Sequence, residues 1–500
     1  MIRRRQFLLA NTFAASTVFL SEKSGYARSD SSSAQPLGGE GTLSRKADYT
    51  LTIEEGRIEP KPGHILQTYL YNGHAPGPLL KMKEGQEIVV DIHNKTPHPE
   101  ILHWHGFILP GELDGSMEEG TPFILPQTTI RQAFTPTVAG LRAYHTHVRA
   151  GKNLTLGLYT GLIGPVYIEP KQNPGRYDRE VFLTLKEYGP AFSAEKMDDE
   201  DYLLPKQQNT ALKAELEKKQ AANKALNLPD DLDLVYEYYT INGHCLGFGE
   251  PIKVKQGEKV LLHILNGSAT EARSLALPDH SFKVVALDGN PVPVQASVPV
   301  LWLGALERVS AIVEMNNPGV WVMGDVQAKA RNKGMGIIVE YAGQQGKAQW
   351  KKPTDMTWDY RLFSKKTPSS SKPDGIFDFH ISEHHNPDRH INVNLWTING
   401  KTFNSTNKTG YYPVEYGKRY RLRFYNPTDE AHPLHLHRHN FEVVNIAGSS
   451  ISGLMKDVIM VGSCQTLEVD FIADQKGASL FHCHMQHHMD YGFMAVFECQ

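Results

Sequence analysis

Cysteine is scarce in this sequence: Cys245, Cys464, Cys483 and Cys499 are the only four in 500 residues. That excludes a disulfide framework. One bridge among Cys245, Cys464 and Cys499 is compatible with an exported chain, and the sequence does not choose it. An excess of one charge is also missing. Lys+Arg 52 against Asp+Glu 55 leave a net charge of -3, with no basic block beyond the first few residues. A nucleic-acid partner therefore has no electrostatic footprint here, and a small-molecule partner is expected. The N-terminal apolar run in "MIRRRQFLLANTFAASTVFL" is roughly a dozen residues, too short to span a bilayer, and it follows an arginine cluster. It predicts an export signal over residues 1–27 and no stable membrane anchor. Arg4-Arg5-Gln6-Phe7-Leu8 fits the twin-arginine pattern of chains exported already folded, although an ordinary secretory signal with chance arginines gives the same destination. The expected location is periplasmic or extracellular. "SDSSSAQPLGGEG" then reads as a flexible lead-in, within 28–44.

The length exceeds one ordinary core and suggests roughly two to four domains. Three segments share a pattern: "YNGHAPGPLLKMKEGQEIVVDIHN", "INGHCLGFGEPIKVKQGEKVLLHILN" and "INGKTFNSTNKTGYYPVEYGKRYRLRFYN". Each has an Asn-Gly turn, then a Gly, then an alternating strand ending in Asn. The Gly-to-Asn spacing is the same from Gly85 to Asn94, Gly257 to Asn266 and Gly417 to Asn426. Such self-similarity predicts repeated domains, and the alternation with Gly, Pro and Asn turns makes them β-sandwiches. The expected domains are 45–170, 171–345 and 375–500, with a linker over 346–374 whose "SKKTPSSSKPDG" is Ser/Pro/Lys-rich. Asn209 to Asn227 departs from β: it is rich in Ala, Leu, Lys and Glu, capped at Asn209 and stopped by Pro229, which predicts a helix. Such an insertion is either a passive surface element or a flap near a substrate site.

Histidine, at 23 residues, should give the pattern His-x-His about once by chance. It occurs at His103/His105, His145/His147, His435/His437, His437/His439 and His482/His484. On a strand, residues two apart share a face, so each pair aims two imidazoles at one place, and imidazole is a common ligand for copper and zinc. The stretch "HCHMQHHMDYGF" sharpens this. If His482 and His484 face one way, Cys483 faces the other and must bind a different metal. Two histidines and a cysteine form the blue-copper electron-transfer geometry, and His432 and His488 are placed to be its partners.

"HWHG" (His103 to Gly106), "YHTH" (Tyr144 to His147), "HPLHLH" (His432 to His437) and "HCHMQHH" (His482 to His488) resemble the four copper motifs of the multicopper oxidases, across essentially the whole mature chain. The resemblance implies an all-β chain of three consecutive cupredoxin-like Greek-key domains with a short helical insertion in the second. It implies four copper ions: a type 1 ion on His432, Cys483 and His488, a type 2 ion on His103 and His435, and a type 3 pair on His105, His145, His147, His437, His482 and His484. Electrons would pass from a reducing substrate at type 1 copper through Cys483, His482 and His484 to the three-copper cluster, where O2 becomes two waters. Asp114 matches the family's acidic residue near the cluster and is the proton-relay candidate, or else it shapes the Asp-Gly turn. His439 and His487 fall outside the ligand positions, and His244, His263 and His280 of the middle domain are expected to be structural.

Several positions depart from the family pattern. Phe493 stands where bacterial members often carry an axial Met, and Met494 comes one residue too late, so a three-coordinate type 1 copper of comparatively high potential is expected. Met489 replaces a frequent carboxylate, Ala143 a Trp, and Arg438 a Gly. The expected activity is laccase-like oxidation of phenols or aromatic amines. The alternative is a metallo-oxidase of Fe(II) or Cu(I), for which "SAEKMDDEDY" (Ser193 to Tyr202) could be the acidic cluster or only a solvated loop. A copper nitrite reductase lacks the paired type 3 histidines, and a non-catalytic copper-binding protein would lack ligands that are all present here. The partners are thus a reducing substrate and O2; a monomer is the default state, which the sequence does not set.

Overall fold

The computed structural model describes residues 36–37, 45–171, 176–194, 203–205, 208–228, 232–386 and 393–500. The expected export signal lies outside these residues, as does the lead-in apart from 36–37. Among the described residues six sheets pair into three sandwiches. The first combines a five-stranded sheet holding Ile88–Asn94 with a four-stranded sheet holding Leu102–His105 and Gly140–Thr146. The second and third pair a seven- with a five-stranded and a six- with a five-stranded sheet.

The repeated strands occupy the same place in each sandwich. Ile88–Asn94, Lys259–Asn266 and Arg419–Asn426 each lie between one parallel and one antiparallel neighbour. Their terminal asparagines explain the shared ending. Each Asn is followed by x-Thr or x-Ser, and its side-chain oxygen accepts from the backbone N–H two residues on: Thr96 at 2.9 Å, Ser268 at 3.1 Å, Thr428 at 3.2 Å. Its amide group donates across the loop that follows, Asn94 to His98 O at 2.7 Å and Asn426 to Glu430 O at 2.8 Å. These Asx turns fix where the chain re-enters the opposite sheet. In the first and third domains that re-entry begins the strands carrying His103 and His435.

The linker is exposed along most of Lys365–Asp374, but the segment before it packs inward: Trp358, Tyr360 and Phe363 are buried. Cys245 and Cys499 are buried thiols, so no bridge forms among Cys245, Cys464 and Cys499. No described helix is long and apolar enough to cross a membrane.

The helix spans Thr210–Ala225, with the Asn209 side chain accepting from Ala211 N at 3.0 Å and Leu212 N at 3.3 Å. It buries one side chain, Leu212. It leaves its own sheet and docks on the third domain: Lys219 Nζ meets Glu383 Oε1 at 2.7 Å, Glu215 Oε2 meets His380 Nε2 at 3.3 Å, and Gln220 donates to Asp429 at 3.3 Å. The strands flanking it, Arg179–Ser193 and Asp233–Ile241, already pair up to Ser193 opposite Asp233. The excursion is therefore not needed to close the hairpin. It nevertheless buries Leu203 and Leu204 in the core, so replacing residues 194–232 by a two-residue Asn-Gly turn is expected to lower the thermal midpoint by more than about 3 °C; calorimetry showing an unchanged midpoint would make the excursion a passive surface element.

Candidate metal centre

The strand Gly477–Cys483 lies between His432–Leu436 and Met494–Cys499, with His435 opposite His482 and Leu434 opposite Cys483. Alternation sends His482 and Cys483 to opposite faces. On the Cys483 face, the donor atoms of His432, Cys483 and His488 lie within 4.8 Å of one another. Cys483 Sγ is 3.9 Å from His432 Nδ1 and 3.5 Å from His488 Nδ1. The outward nitrogens are engaged elsewhere: His432 Nε2 meets Thr428 Oγ1 at 3.1 Å, and His488 Nε2 meets Glu430 Oε2 at 3.1 Å. Trp396 packs over His488, centroids 4.1 Å apart, and Phe493 packs against His432 at 5.2 Å. Met494 lies in a separate apolar cluster with Phe403, Leu480, Met489 and Val496.

On the other face, first-domain histidines meet third-domain ones. The strand Leu102–His105 pairs with Gly140–Thr146, placing His103 opposite His145. Among the described residues three all-histidine donor groups result, each within 4.8 Å: His103, His105 and His435; His105, His145 and His484; His147, His437 and His482; His103, Asp114 and His437 form a fourth group that includes a carboxylate. The nitrogens that face these groups are free to ligate because the others are held: His103 Nδ1 donates to Asp114 O at 2.8 Å, His145 Nδ1 to Thr146 O at 2.8 Å, His435 Nδ1 to Asp457 O at 2.7 Å and His482 Nδ1 to Cys483 O at 2.8 Å. Such partners fix the tautomer and orientation of a ligating imidazole. His484, 2% exposed, has neither ring nitrogen hydrogen-bonded. Leaving a buried polar atom without a partner costs about 1–3 kcal/mol, and coordination would remove that cost. The donor set of imidazoles plus one thiolate suits copper.

Asp114 ends a short helical turn, Gly111–Asp114. Gly115 follows it at φ 109°, where a Cβ would sit 2.2 Å from His103 Cα, so only glycine lets this turn press against the ligand strand. Asp114 Oδ2 accepts from His437 Nδ1 at 2.9 Å. Three neighbouring groups have no role in the sequence reading. Glu119 accepts from Leu480 N at 2.7 Å and approaches His437 Nδ1 at 3.5 Å. Burial, and then the Asp114 charge, push its carboxyl well above the usual range. Asp457 is the second, and its only sequence signal is the "KD" pair inside the apolar run "GLMKDVIMV". Glu430, two residues past Thr428 in the Asn-x-Thr turn, is the third.

Arg438 is in the left-handed region at φ 62°, the conformation that favours glycine there. Its guanidinium compensates by donating to Leu109 O at 2.8 Å in the first domain and Lys476 O at 2.9 Å in the third. His439 donates to His437 O at 3.0 Å and His487 meets His488 edge to face with centroids 4.1 Å apart; neither joins a donor group. His263 meets Ser310 Oγ at 2.8 Å and His280 meets Tyr341 OH at 2.5 Å, away from the centre. Of the acidic run Ser193 to Tyr202, residues 195–202 lie outside the described ones.

Burial, reinforced by neighbouring imidazoles, pushes His105, His145, His147, His435, His482 and His484 well below the ordinary histidine range. His437 falls to about 4 and His432 to about 3, again chiefly through burial. The ligands are thus in the neutral form that coordination requires. Because the unfolded chain titrates near 6.5 and the folded imidazoles near 4 or 3, the unfolded state binds more protons between those values. Folding stability of the metal-free chain is full above pH 6.5 and falls as pH is lowered towards 4. Thermal midpoints should drop by more than about 10 °C over that window; a flat profile would mean that the imidazoles are already charged in the fold.

Family models described as multicopper oxidase match residues 52–173, 204–343 and 373–500. The chain is 30% identical over 452 residues to multicopper oxidase MmcO of Mycobacterium tuberculosis, covering 89% of this chain and 85% of the relative. The fold is similar to that of Fet3p, a multicopper oxidase that functions in iron import, with TM-score 0.72, 16% identity and 90% of each chain covered. It is also similar to the laccase from Botrytis aclada, with TM-score 0.67, 21% identity and 90% of this chain and 87% of that one covered.

Proposed function

The chain belongs to the multicopper oxidases and is a copper-dependent oxidoreductase; from that premise we propose that it takes single electrons from metal-ion donors, Fe(II) or Cu(I), at the His488 edge and reduces O2 over four copper ions. His432, Cys483 and His488 would hold one ion, His103 and His435 a second, and His105, His145, His147, His437, His482 and His484 the remaining two. Copper bound there supplies one-electron uptake from the donor and four-electron reduction of O2 to two waters.

The chain's own residues separate those two tasks. Cys483 is bonded through its backbone to both His482 and His484, so one tripeptide joins the donor side to the oxygen side. Phe493 and Trp396 close the donor side against water. Asp114, with its Oδ2 on His437 Nδ1, would pass protons into the oxygen side.

Glu430 carries the choice of donor. His488 is 1% exposed, and the group covering its outward nitrogen is the Glu430 carboxylate, whose side chain is 37% exposed. A donor approaching this edge meets an anion before it meets the imidazole, which favours a cation. Asp429, the residue preceding Glu430, is exposed and adds a second negative charge to this segment. The second reading, phenols and aromatic amines, draws on Phe493: it cannot coordinate, and a type 1 site lacking a thioether favours Cu(I), which raises its potential towards what organic donors require. The arginine pair at Arg4-Arg5 supports export by the twin-arginine route to the periplasm or outside the cell.

Oxygen uptake by the copper-loaded protein with Fe(II), Cu(I) and a dimethoxyphenol at matched concentrations separates the readings. Metal ions should be the better donors, and Glu430→Gln should raise their KM by about tenfold, the effect of roughly 1.4 kcal/mol, while leaving the phenol nearly unchanged. Equal effects on both donors, or faster uptake with the phenol in the native protein, would favour the organic reading.

A further inference from the structure

Asp114 and Asp457 stand in reciprocal positions about the oxygen-side histidines. Asp114, in the first domain, accepts from its own domain's His103 on its backbone carbonyl at 2.8 Å and from the third domain's His437 on its carboxylate at 2.9 Å. Asp457, in the third domain, accepts from its own His435 on its carbonyl at 2.7 Å. Its carboxylate Oδ1 lies 3.3 Å from Nε2 of the first domain's His105, close enough for attraction but not aligned as a full hydrogen bond. Each aspartate thus steadies one histidine of its own domain and one across the boundary.

The surroundings of the two carboxylates differ. Asp457 is gripped in a fork by Arg308 of the middle domain, Nη1 to Oδ1 and Nη2 to Oδ2 both at 2.6 Å, and by Arg142 of the first domain at 3.1 Å. These three side chains are fully buried. Burial lowers the Arg142 guanidinium to about 10 against the pull of Asp457, so it remains a cation at neutral pH. Both guanidinium groups are fixed in turn by the carbonyl of Asp288, from Arg142 at 2.5 Å and Arg308 at 3.3 Å. The Asp288 carboxylate holds Lys456 Nζ at 2.8 Å and Val458 N at 3.1 Å, on either side of Asp457. Gly106, the glycine of "HWHG", makes room for this packing: a Cβ there would lie 2.7 Å from both Arg308 Nη2 and Asp457 Oδ2. Among the described residues Asp114 has no such cationic clamp; its neighbours include His103, His437 and Glu119.

We infer that Asp457 is a positioning residue for the oxygen-side copper site: Arg142 and Arg308 lock it at the junction of three domains, its carbonyl holds His435, and its carboxylate orients the His105 ring, which stacks on His435 with centroids 4.0 Å apart and so passes any displacement to that ligand. A ligand-free middle domain then has a direct part in the centre through Arg308. A bidentate fork suits this role because guanidinium defines carboxylate orientation as well as charge, which Lys cannot do.

This inference rests on the copper assignments above, and the test separates the two. Asp457→Asn and, as a milder change that keeps the charge, Arg308→Lys are loaded with copper beside the native protein. Copper content, the blue cysteine-to-copper absorption and the type 2 electron paramagnetic resonance signal are recorded for each. If the native protein shows neither blue band nor type 2 signal, the copper assignment fails. If it shows both, the inference expects Asp457→Asn to keep the blue band while the type 2 signal shifts or loses at least half its intensity. kcat for O2 reduction should fall at least tenfold with the donor KM unchanged, and Arg308→Lys should change in the same direction less steeply. A type 2 signal identical to the native one in both variants overturns the inference, and so does parallel loss of the blue band, because the effect would then be general unfolding.

Discussion

The alternation of side chains along one strand constrains everything else in this protein. His482, Cys483 and His484 are consecutive, and a strand cannot turn neighbouring side chains to the same face. The thiolate therefore belongs with His432 and His488 on one side, and the two imidazoles belong to a separate set on the other. Two metal sites are held at a spacing set by covalent geometry, with no flexible loop between them. The third domain can complete the thiolate site alone, but the other face needs imidazoles that the third domain does not have. The strands carrying His103, His105, His145 and His147 in the first domain must supply them.

That requirement turns domain docking into a chemical problem. Each ligand ring has one nitrogen facing a donor group and, in most cases, the other held by a backbone carbonyl or carboxylate, which sets the tautomer before any metal arrives. The buried charges of Arg142, Arg308, Asp288, Lys456 and Asp457 join the three domains beside those rings. A buried ion pair is weak evidence for stability but contributes to a unique arrangement when every partner is satisfied. Here the uniqueness serves alignment: a slip between domains would separate His103 from His435, whose Nε2 atoms lie 3.5 Å apart across the boundary.

The strongest sequence signals came from periodic features. His-x-His recurs with strand period and marks nine imidazoles, eight of which the fold brings into donor groups; the Gly-to-Asn repeat marks three equivalent strands, and the richness of Asn209 to Asn227 in Ala, Leu, Lys and Glu marks the helix. What was not legible depends on contacts between residues far apart in sequence. Asp457 and Arg308 are 2.6 Å apart in space, yet a single charged residue in an apolar strand carries no spacing to read. Glu430 gains its meaning only once the Asx turn at Asn426 folds it over His488. The helix itself was readable, but its docking on the third domain was not, since Lys219 and Gln220 look like any exposed helical residues. Phe493 and Met494 show the converse: alternation alone separated them, and the packing of Phe493 on His432 and of Met494 in another cluster follows that rule.

The central claim is that one tripeptide serves two independent metal sites, and Cys483→Ser tests it most directly. Copper content and electron paramagnetic resonance of this variant, compared with the native protein, should show loss of the blue absorption and of one copper ion, with the type 2 signal retained, because the histidine face is untouched. Loss of all copper together with the type 2 signal would contradict the account, since the two faces would then not be separate sites.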